Sequence, residues 1–498
     1  MKDELILSRI KKLESLKEKG INPYPYSFEV NASSQQLRED FERFSSSQEL
    51  VSIAGRIMLM RRMGKACFIT LQDFLGRIQL YLRVDLLGEE KFGLLRFLEA
   101  GDFIGVTGTL FKTKTGEITI DVHSFSILTK SIRPLPEKYH GLVDKEIRYR
   151  QRTLDMIMNQ DVLDLFKQRS LIIAEIRGFL NKKGYYEVES PLLQTTYGGA
   201  DAHPFTTHLE ALDQKLFLSI SPELFLKRFL AGGFEKIYTL SKSFRNEGID
   251  RFHNPEFTIL EVYQAYVDYH EMRKLTEEMV MHLSLKIKGT TKITYQGIEI
   301  DLAPPWERIS LFGALEEVTG LDCRRASSQE LWDKIKDLGI AEKVDPSLPR
   351  GWLILEIFEH TVQPQLIQPT FVYDYPQETS PLCKVHRQDP DLIERFEPII
   401  CGMELGNAFS ELNDPIRQRT LLEDQAQKPR AGFETPPPLD EYFIEAIELG
   451  MPPAGGLGIG IDRLVMLLTD SPSIRDVIAF PFMRALKEGA DVDRGEQE

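Results

Sequence analysis

Between residues 51 and 129 the chain carries a pattern that few folds accommodate. VSIAGRIMLMR, ACFITLQD, GRIQLYLR, DFIGVTGTLFKT and EITIDVHSFSIL are short runs rich in β-branched and aromatic residues, separated by Gly, Asp and Lys turns. Five such strands, with a helical insert near 85–100 (DLLGEEKFGLLRFLEA), suggest a small Greek-key barrel, with another small β-domain as the alternative. Ahead of them, residues 2–20 read as a helix ended by Gly20 and the breaker run Asn22-Pro23-Tyr24-Pro25.

The stretch SIRPLPEKYHGLVDKEIRYR, with two prolines and many charges, reads as a linker. Beyond it the periodicity turns α/β. VLDLFKQRSLIIAEIRGFLNKKG is a long amphipathic helix stopped by Gly184 and leads into YYEVESP, a strand ended at Pro191. FLSISPELFLKRFLAGG reads as strand then helix, and KIYTLSKSFRNEG and FTILEVYQAY as two strands joined by a polar loop. The stretch 323–360 is helical, residues 395–413 give a strand, and 454–468 a strand, turn and helix. The last residues, KEGADVDRGEQE, have almost nothing apolar and are expected to be disordered.

Charge follows the same division. The net charge is −15, yet residues 51–150 carry 16 Lys and Arg against 11 Asp and Glu, while residues 151–498 carry 37 against 56. A basic barrel beside an acidic body is compatible with phosphate binding by the first and cation binding by the second, though a surface fluctuation explains it as well. Four cysteines, Cys67, Cys323, Cys383 and Cys401, lie far apart, which argues against a zinc ribbon or a disulfide framework and fits a reducing cytosol. The N-terminus lacks the apolar run of a signal peptide, and no stretch is long and apolar enough for a membrane span.

Three local signatures follow in order. The first is the long helix with its strand ending at Pro191. The second is Phe244-Arg245-Asn246-Glu247, followed by His253-Asn254-Pro255-Glu256-Phe257-Thr258. The third is Gly458-Ile459-Gly460-Ile461-Asp462-Arg463, opening a helix. Singly they are ambiguous. The glycine pair fits a nucleotide-type turn or a tight packing turn, and no P-loop occurs anywhere. Arg463 just after it is what a triphosphate site needs, since guanidinium contacts phosphate bidentately and stays charged. Arg245 and Glu247, alternating on a strand, point to one face, as a substrate clamp or as a cross-strand salt bridge.

Together, the three resemble motifs one, two and three of class II aminoacyl-tRNA synthetases. The basic barrel ahead of them resembles the subclass serving lysine, aspartate and asparagine. Gly198-Gly199-Ala200, Leu366-Ile367-Gln368-Pro369-Thr370, Ser380-Pro381-Leu382, Glu411-Leu412-Asn413-Asp414 and Gly450-Met451-Pro452-Pro453 resemble the lysyl-tRNA synthetase family in particular, from about residue 50 to about 485. The resemblance implies an α+β chain: a five-stranded OB-type β-barrel, then a class II catalytic domain whose antiparallel sheet is flanked by helices. The boundaries expected are a helical extension at 1–50, an anticodon-binding barrel at 51–130, a linker at 131–160, a catalytic domain at 161–486 and a disordered tail at 487–498.

It also implies roles. Arg245 binds the lysine carboxylate and the α-phosphate and, with Arg463, serves catalysis. Glu223 holds the α-amino group and Gly199 borders the lysine site. Glu411 and Tyr263 receive the ε-ammonium, Glu261 adds an anion, and Asn407 and Phe409 line the pocket. A buried anion suits an ammonium and rejects uncharged side chains, because it would be left unpaired. Glu247, His253, Phe257, Glu404 and Arg463 surround ATP, with Phe257 stacked on adenine and Arg463 at the γ-phosphate. Glu397 and Glu404 coordinate Mg2+ on the triphosphate. In the barrel, Phe68, Gln79 and Glu117 read the uridine-rich anticodon, as aromatic platforms and amide edges do for single-stranded RNA, while Arg61, Arg62 and Lys65 meet phosphates. A barrel-core role is the competing reading for Phe68.

The expected activity is ATP-dependent activation of L-lysine and its transfer to tRNA(Lys), by a cytoplasmic homodimer with no membrane or DNA partner. Rival readings are an aspartyl- or asparaginyl-type synthetase, a paralogue that transfers lysine to a protein, and a non-catalytic regulator. Glu223 and the Glu411 segment favour a cationic substrate, the barrel argues against the paralogue, and the retained Arg245, Arg463 and paired acids argue against the regulator. Three positions depart from the usual pattern: His203 where a basic residue follows Ala202, Ser221 in place of alanine before Pro222, and Phe252 before His253, with Arg251 one place earlier.

Overall fold

The computed structural model describes residues 2–136, 142–427 and 439–485. They form two units, Met1–His140 and Gly141–Glu498. The expected tail at 487–498 lies outside the described residues.

In the first unit, alternation interrupted by a few bulges closes the five strands into a barrel. Val51–Met63, Ala66–Gln72, Arg77–Arg83, Phe103–Lys112 and Ile118–Thr129 are its strands, with the last lying between the third and the fourth. Ile53, Ile57, Cys67, Ile69, Ile78, Leu80, Leu82, Ile104 and Val106 point inward and are almost wholly buried. The helical insert is broken into Val84–Leu87, Glu89–Gly93 and a 3-10 turn, Leu94–Phe97. The N-terminal helix, Lys2–Glu18, ends before Gly20, whose φ of +74° is the left-handed conformation that stops a helix. Its Arg9 donates to the Ala100 carbonyl at 3.0 Å. Nearby, the buried Lys130 ammonium pairs with Asp102 at 2.7 Å and Glu99 at 2.9 Å.

The second unit is built on a ten-stranded sheet in the order Glu307–Ser310, Thr370–Pro376, Asp389–Ile400, Gly406–Ser410, Ala454–Gly460, Glu256–Ala265, Lys236–Phe244, Tyr186–Glu187, with Val385–His386 and Met403–Glu404 beside Asp389–Ile400. The expected antiparallel sheet is in fact mixed: the two outermost strands, Tyr186–Glu187 and Glu307–Ser310, pair in parallel. Helices Gln160–Lys182, Tyr269–Lys288 and Ile461–Thr469 pack on it through Ile172, Ile176, Met272, Met279, Leu464 and Leu468.

Two local readings are corrected. Residues 145–158, expected within a linker, form the helices Lys145–Arg150 and Arg152–Met158. Arg152 anchors them, reaching Asp155 at 2.8 Å and the Arg475 carbonyl at 2.7 Å from a buried position. A charged segment that looks solvated is therefore docked by its own arginine. The expected strand through Pro191 pairs over Tyr186–Glu187 only, with the Val188 amide reaching the Tyr238 carbonyl at 2.9 Å.

Candidate active site

The central strands present alternate residues to one cavity of about 2400 Å³. Glu256–Ala265 contributes Phe257, Ile259, Glu261 and Tyr263, at the period of two that sends every second side chain to one face. Ala454–Gly460 contributes Gly456, Gly458 and Gly460, and Gly406–Ser410 contributes Asn407 and Phe409. Arg245, Glu223, Gly199, Glu247, His253, Glu397, Glu404 and Arg463 complete the lining. The volume exceeds the range of about 300–1,000 Å³ usual for small-molecule sites, leaving room for more than one substrate.

One end of the cavity is anionic: Glu223 and Glu261 line it, while Glu411, expected in the pocket, lies outside the lining and is reached only beneath Gly456 and Tyr263. Glu223, the first residue of the helix Glu223–Ala231, Glu261 and Glu411 are all buried. Glu261 accepts from the Ser221 hydroxyl at 2.8 Å and from the Tyr263 hydroxyl at 3.1 Å. Burial, with Glu223 nearby, pushes the Glu261 carboxyl up to about 8. Neither oxygen of the fully buried Glu411, nor Oε1 of Glu223, has a hydrogen-bond partner. Orphaned acceptors of this kind are costly unless a donor arrives. Both carboxylates do make ion contacts with Lys227, at 2.7 Å from Glu223 and 2.5 Å from Glu411. Lys227 holds its proton more tightly than an ordinary lysine: burial alone would strip it, but the two glutamates outweigh burial. Glu411 also binds a proton more tightly than usual, through burial and the charges of Glu223 and Glu261. The pair is unequal: Lys227 answers two carboxylates and stays charged, while at Glu411 burial and two neighbouring acids outweigh the pull of Lys227.

Glycines set the floor. At Gly456 an added Cβ would lie 1.9 Å from Glu411 Oε1 and 2.8 Å from Tyr263 Cε1, so Glu411 and Tyr263 converge where only a hydrogen fits. Gly199, at φ +84°, brings its backbone against Ser221 and Glu223, with only 3.1 Å from a Cβ to either side chain.

The other end gathers arginines and acids. Arg245 is enclosed, its guanidinium 5.1 Å from the centre of the Phe257 ring and its Nε 3.5 Å from the Ile220 carbonyl. Arg463 donates to the Glu404 carbonyl at 2.7 Å, lies 3.3 Å from its carboxylate and 3.2 Å from His253 Nε2. His253 is turned by Asp250, at 2.7 Å from Nδ1. Glu397 and Glu404 sit on neighbouring strands of a hairpin in which Glu404 faces Ile399. Glu397 accepts from Tyr375 at 2.7 Å and from Arg395 at 2.5 Å. Burial lifts the Glu397 carboxyl, and Arg395 opposes the rise. No cluster of three or more His, Cys, Asp or Glu suited to a metal occurs among the described residues. Two carboxylates fit Mg2+ as it is held on a triphosphate, by one or two acids plus phosphate oxygens.

Arg245 and Glu247 do not lie on a strand as expected. Pairing ends at Phe244, with one further bond from the Arg245 amide to Pro255, because the Asn246 amide turns to the His203 carbonyl at 2.8 Å. Both still reach the cavity. Arg251 is committed elsewhere, donating to the Pro472 carbonyl. The sequence reading missed Lys227, Arg395, Tyr375, Gly456 and the buried Asp462, which accepts from the Thr258 amide at 2.7 Å and pairs with Arg169 at 2.7 Å. Lys227 was signalled only by its place four residues after Glu223, one helical turn on.

On the barrel, Phe68 is not core. It faces outward between the buried Cys67 and Ile69 and stacks on Tyr81, with ring centres 4.7 Å apart. Gln79 points out two residues before Tyr81, opposite Thr70. Glu117 is exposed, 3.5 Å from Arg38. Arg61 and Lys65 are exposed as expected, but Arg62 is spent on the carbonyls of Leu95 and Leu98.

Comparison with known proteins agrees with this division. Residues 51–128 match the OB-fold nucleic acid binding domain, and residues 144–484 match the class II tRNA synthetases (D, K and N). A lysine--tRNA ligase of Pelotomaculum thermopropionicum is 52% identical over 483 residues, covering 97% of this chain and 95% of the relative. One from Carboxydothermus hydrogenoformans is 52% identical, covering 97% and 98%. One from Methanoculleus marisnigri is 48% identical over 496 residues, covering 98% and 97%. Matched over both units and along nearly its whole length, the chain belongs to the class II tRNA synthetases of the aspartate, lysine and asparagine group.

Proposed function

We propose that the protein is a lysine–tRNA ligase, carrying out both steps in the cavity of the second unit. The observation that carries this reading is the trio of buried carboxylates Glu223, Glu261 and Glu411, two of which share the single ammonium of Lys227 and one of which, Glu411, keeps an oxygen with no donor. An aspartate or asparagine pocket has no use for three buried acids.

Lysine binds with its α-ammonium at Glu223, its ε-ammonium at Glu411 beside Tyr263, and its methylenes along Phe409. Glu261 adds negative charge between them, and Asn407 and Gly199 close the walls. Arg245 holds the lysine carboxylate against the α-phosphate of ATP, with adenine on Phe257 and Glu247, and His253 and Arg463 on the phosphates. A carboxylate oxygen attacks the α-phosphorus, a C–O–P linkage forms and pyrophosphate leaves. Arg245 is half-buried and already held beside the Phe257 ring and the Ile220 carbonyl, so it stabilises the negative transition state with little reorganisation. A terminal ribose hydroxyl of tRNA then takes the lysyl group and AMP departs. Glu397 and Glu404 would hold Mg2+, which neutralises triphosphate charge.

In the barrel, Phe68 and Gln79 present a stacking ring and an amide edge to the anticodon, with Glu117 at the margin and Arg61 and Lys65 toward phosphates. Dimerisation is supported by apolar side chains left in water around the first motif: Leu171, Tyr186, Leu192, Leu193 and Leu212 are each at least 40% exposed. Sedimentation of a fully active monomer at micromolar concentration would contradict it. No described helix is long and apolar enough to cross a membrane, and we place the enzyme in the cytoplasm.

The deciding experiment is ATP–pyrophosphate exchange with lysine, aspartate and asparagine, followed by charging of tRNA with labelled lysine. Exchange and charging with lysine alone is the expected result. Exchange with aspartate or asparagine in its place overturns the reading.

A further inference from the structure

The carboxylates of the amino-acid pocket enclose a cation of the protein's own. Lys227 has no exposed surface. Its ammonium lies 2.7 Å from Glu223 and 2.5 Å from Glu411, 5.3 Å from the centre of the Phe409 ring and 3.5 Å from the Leu382 carbonyl. The remaining titratable groups facing it are Glu261, Tyr263, Cys383 and, beyond Glu261, Arg245. Tyr263 is held neutral by burial, as is Cys383, whose thiol is pushed up to about 12. With all three carboxyls ionised, the form that a bound diammonium substrate favours, the charge here is three carboxylates against one ammonium, with Arg245 reserved for the substrate carboxylate.

We propose that Lys227 is a positioning and specificity residue: it bridges Glu223 and Glu411, fixes the spacing between the two ammonium subsites, and trims the pocket's charge to a deficit that a diammonium amino acid fills. The proposal rests on the lysine reading above. Lysine supplies two ammonium groups and closes the deficit; aspartate and asparagine supply one and leave a buried anion unpaired. Without Lys227 the deficit would be three, and a carboxyl besides Glu261 would hold its proton more tightly, in competition with substrate. The bridge also offsets the cost of burying two carboxylates side by side, since isolated buried anions are strongly unfavourable.

The test is Lys227→Met in the full-length protein, which removes the charge and keeps most of the volume. ATP–pyrophosphate exchange is measured with lysine varied from about pH 6.5 to about pH 9, around the range where the pocket carboxyls titrate. The lysine KM is expected to rise on the order of 100-fold near neutrality, the cost of breaking a buried ion pair. The rise should shrink at high pH, with the acid limb of kcat/KM for lysine displaced upward by about one pH unit. kcat and the ATP KM should stay within about threefold. Lys227→Met/Glu223→Gln deletes a carboxylate together with its counter-ion and answers the question even if the single variant does not fold. Its acid limb should return near wild type while its lysine KM stays high. A purely structural lysine predicts a lower melting temperature and fewer active sites, with an unchanged lysine KM and limb; that result overturns the proposal, as does a double variant displaced as far as the single. Wild-type exchange with aspartate or asparagine in place of lysine refutes the lysine reading itself. Exchange with lysine alongside an indifferent Lys227→Met refutes only the role of Lys227.

Discussion

Gly456→Ala adds one methyl group where the structure has no room for it. The new Cβ would stand 1.9 Å from Glu411 Oε1 and 2.8 Å from Tyr263 Cε1, when unbonded carbon atoms prefer about 3.5–4.0 Å. The carboxylate must retreat by more than about 1 Å to restore contact distance. Glu411 is wholly buried and already 2.5 Å from Lys227, so retreat breaks its alignment on both sides. Overpacking costs about 1–3 kcal/mol of stability. The displaced anion should cost lysine binding about 3 kcal/mol, or about 100-fold in KM. Nucleotide contacts lie at the other end of the cavity, so the ATP KM should hold within about twofold. ATP–pyrophosphate exchange with each substrate varied, beside a thermal melt, measures all three quantities. Gly458→Ala is the steric control for the melt, because its Cβ would meet nothing closer than 3.9 Å. A Gly456→Ala protein with a lysine KM within twofold of wild type would show that Glu411 does not receive the ε-ammonium over this glycine.

Glu411→Gln should raise the lysine KM about 100-fold and leave ATP nearly untouched, the cost of losing one partner of a buried ion pair; equal losses for both substrates would make Glu411 a fold residue. Phe68→Ala should spare ATP–pyrophosphate exchange and lower kcat/KM for tRNA roughly tenfold, since stacking one base is worth about 1–3 kcal/mol, and a matching loss in both assays would contradict the anticodon role. Glu261, lifted from 4.5 to about 8, stays protonated in the empty pocket at neutral pH. A raised carboxyl contributes stability below its ordinary value and loses it as pH climbs through the folded one, so the ligand-free protein should lose stability between 4.5 and about 8. Lysine favours the ionised form, so its binding should release a proton and its KM should fall as pH rises toward 8; a KM flat across that range would refute the assignment.

The barrel and the three motifs were legible because each rests on short-range order. Period-two alternation identified the strands, and Phe257 to Tyr263 reach the cavity by that same alternation. Reading failed where a long-range partner overrides local pattern. Arg245 to Glu247 read as strand, yet the Asn246 amide is claimed by His203, far away in the chain. The 145–158 segment read as linker because its charges look solvated, and nothing local reveals that Arg152 seats itself on carbonyls more than 320 residues later. Lys227 and Arg395 are surface residue types by composition; only tertiary structure shows each buried against a carboxylate. Ser221 stood out as a departure, but its bond to Glu261 needed the fold.

The order of strands bears on how the protein is made. Ala454–Gly460, the last strand in the sequence, lies between Gly406–Ser410 and Glu256–Ala265, in the middle of the sheet. Until it leaves the ribosome the nascent chain holds two half-sheets, each with an unpaired edge able to recruit another chain. A late-arriving strand that pairs with distant segments slows folding and prolongs the exposure of those edges. A chain cut short before this strand lacks Gly456 and Arg463, and lacks the Asp462 carboxylate that ties Arg169 of the long helix to the Thr258 amide. Only a chain read through residue 463 can therefore close the sheet and present the assembled cavity.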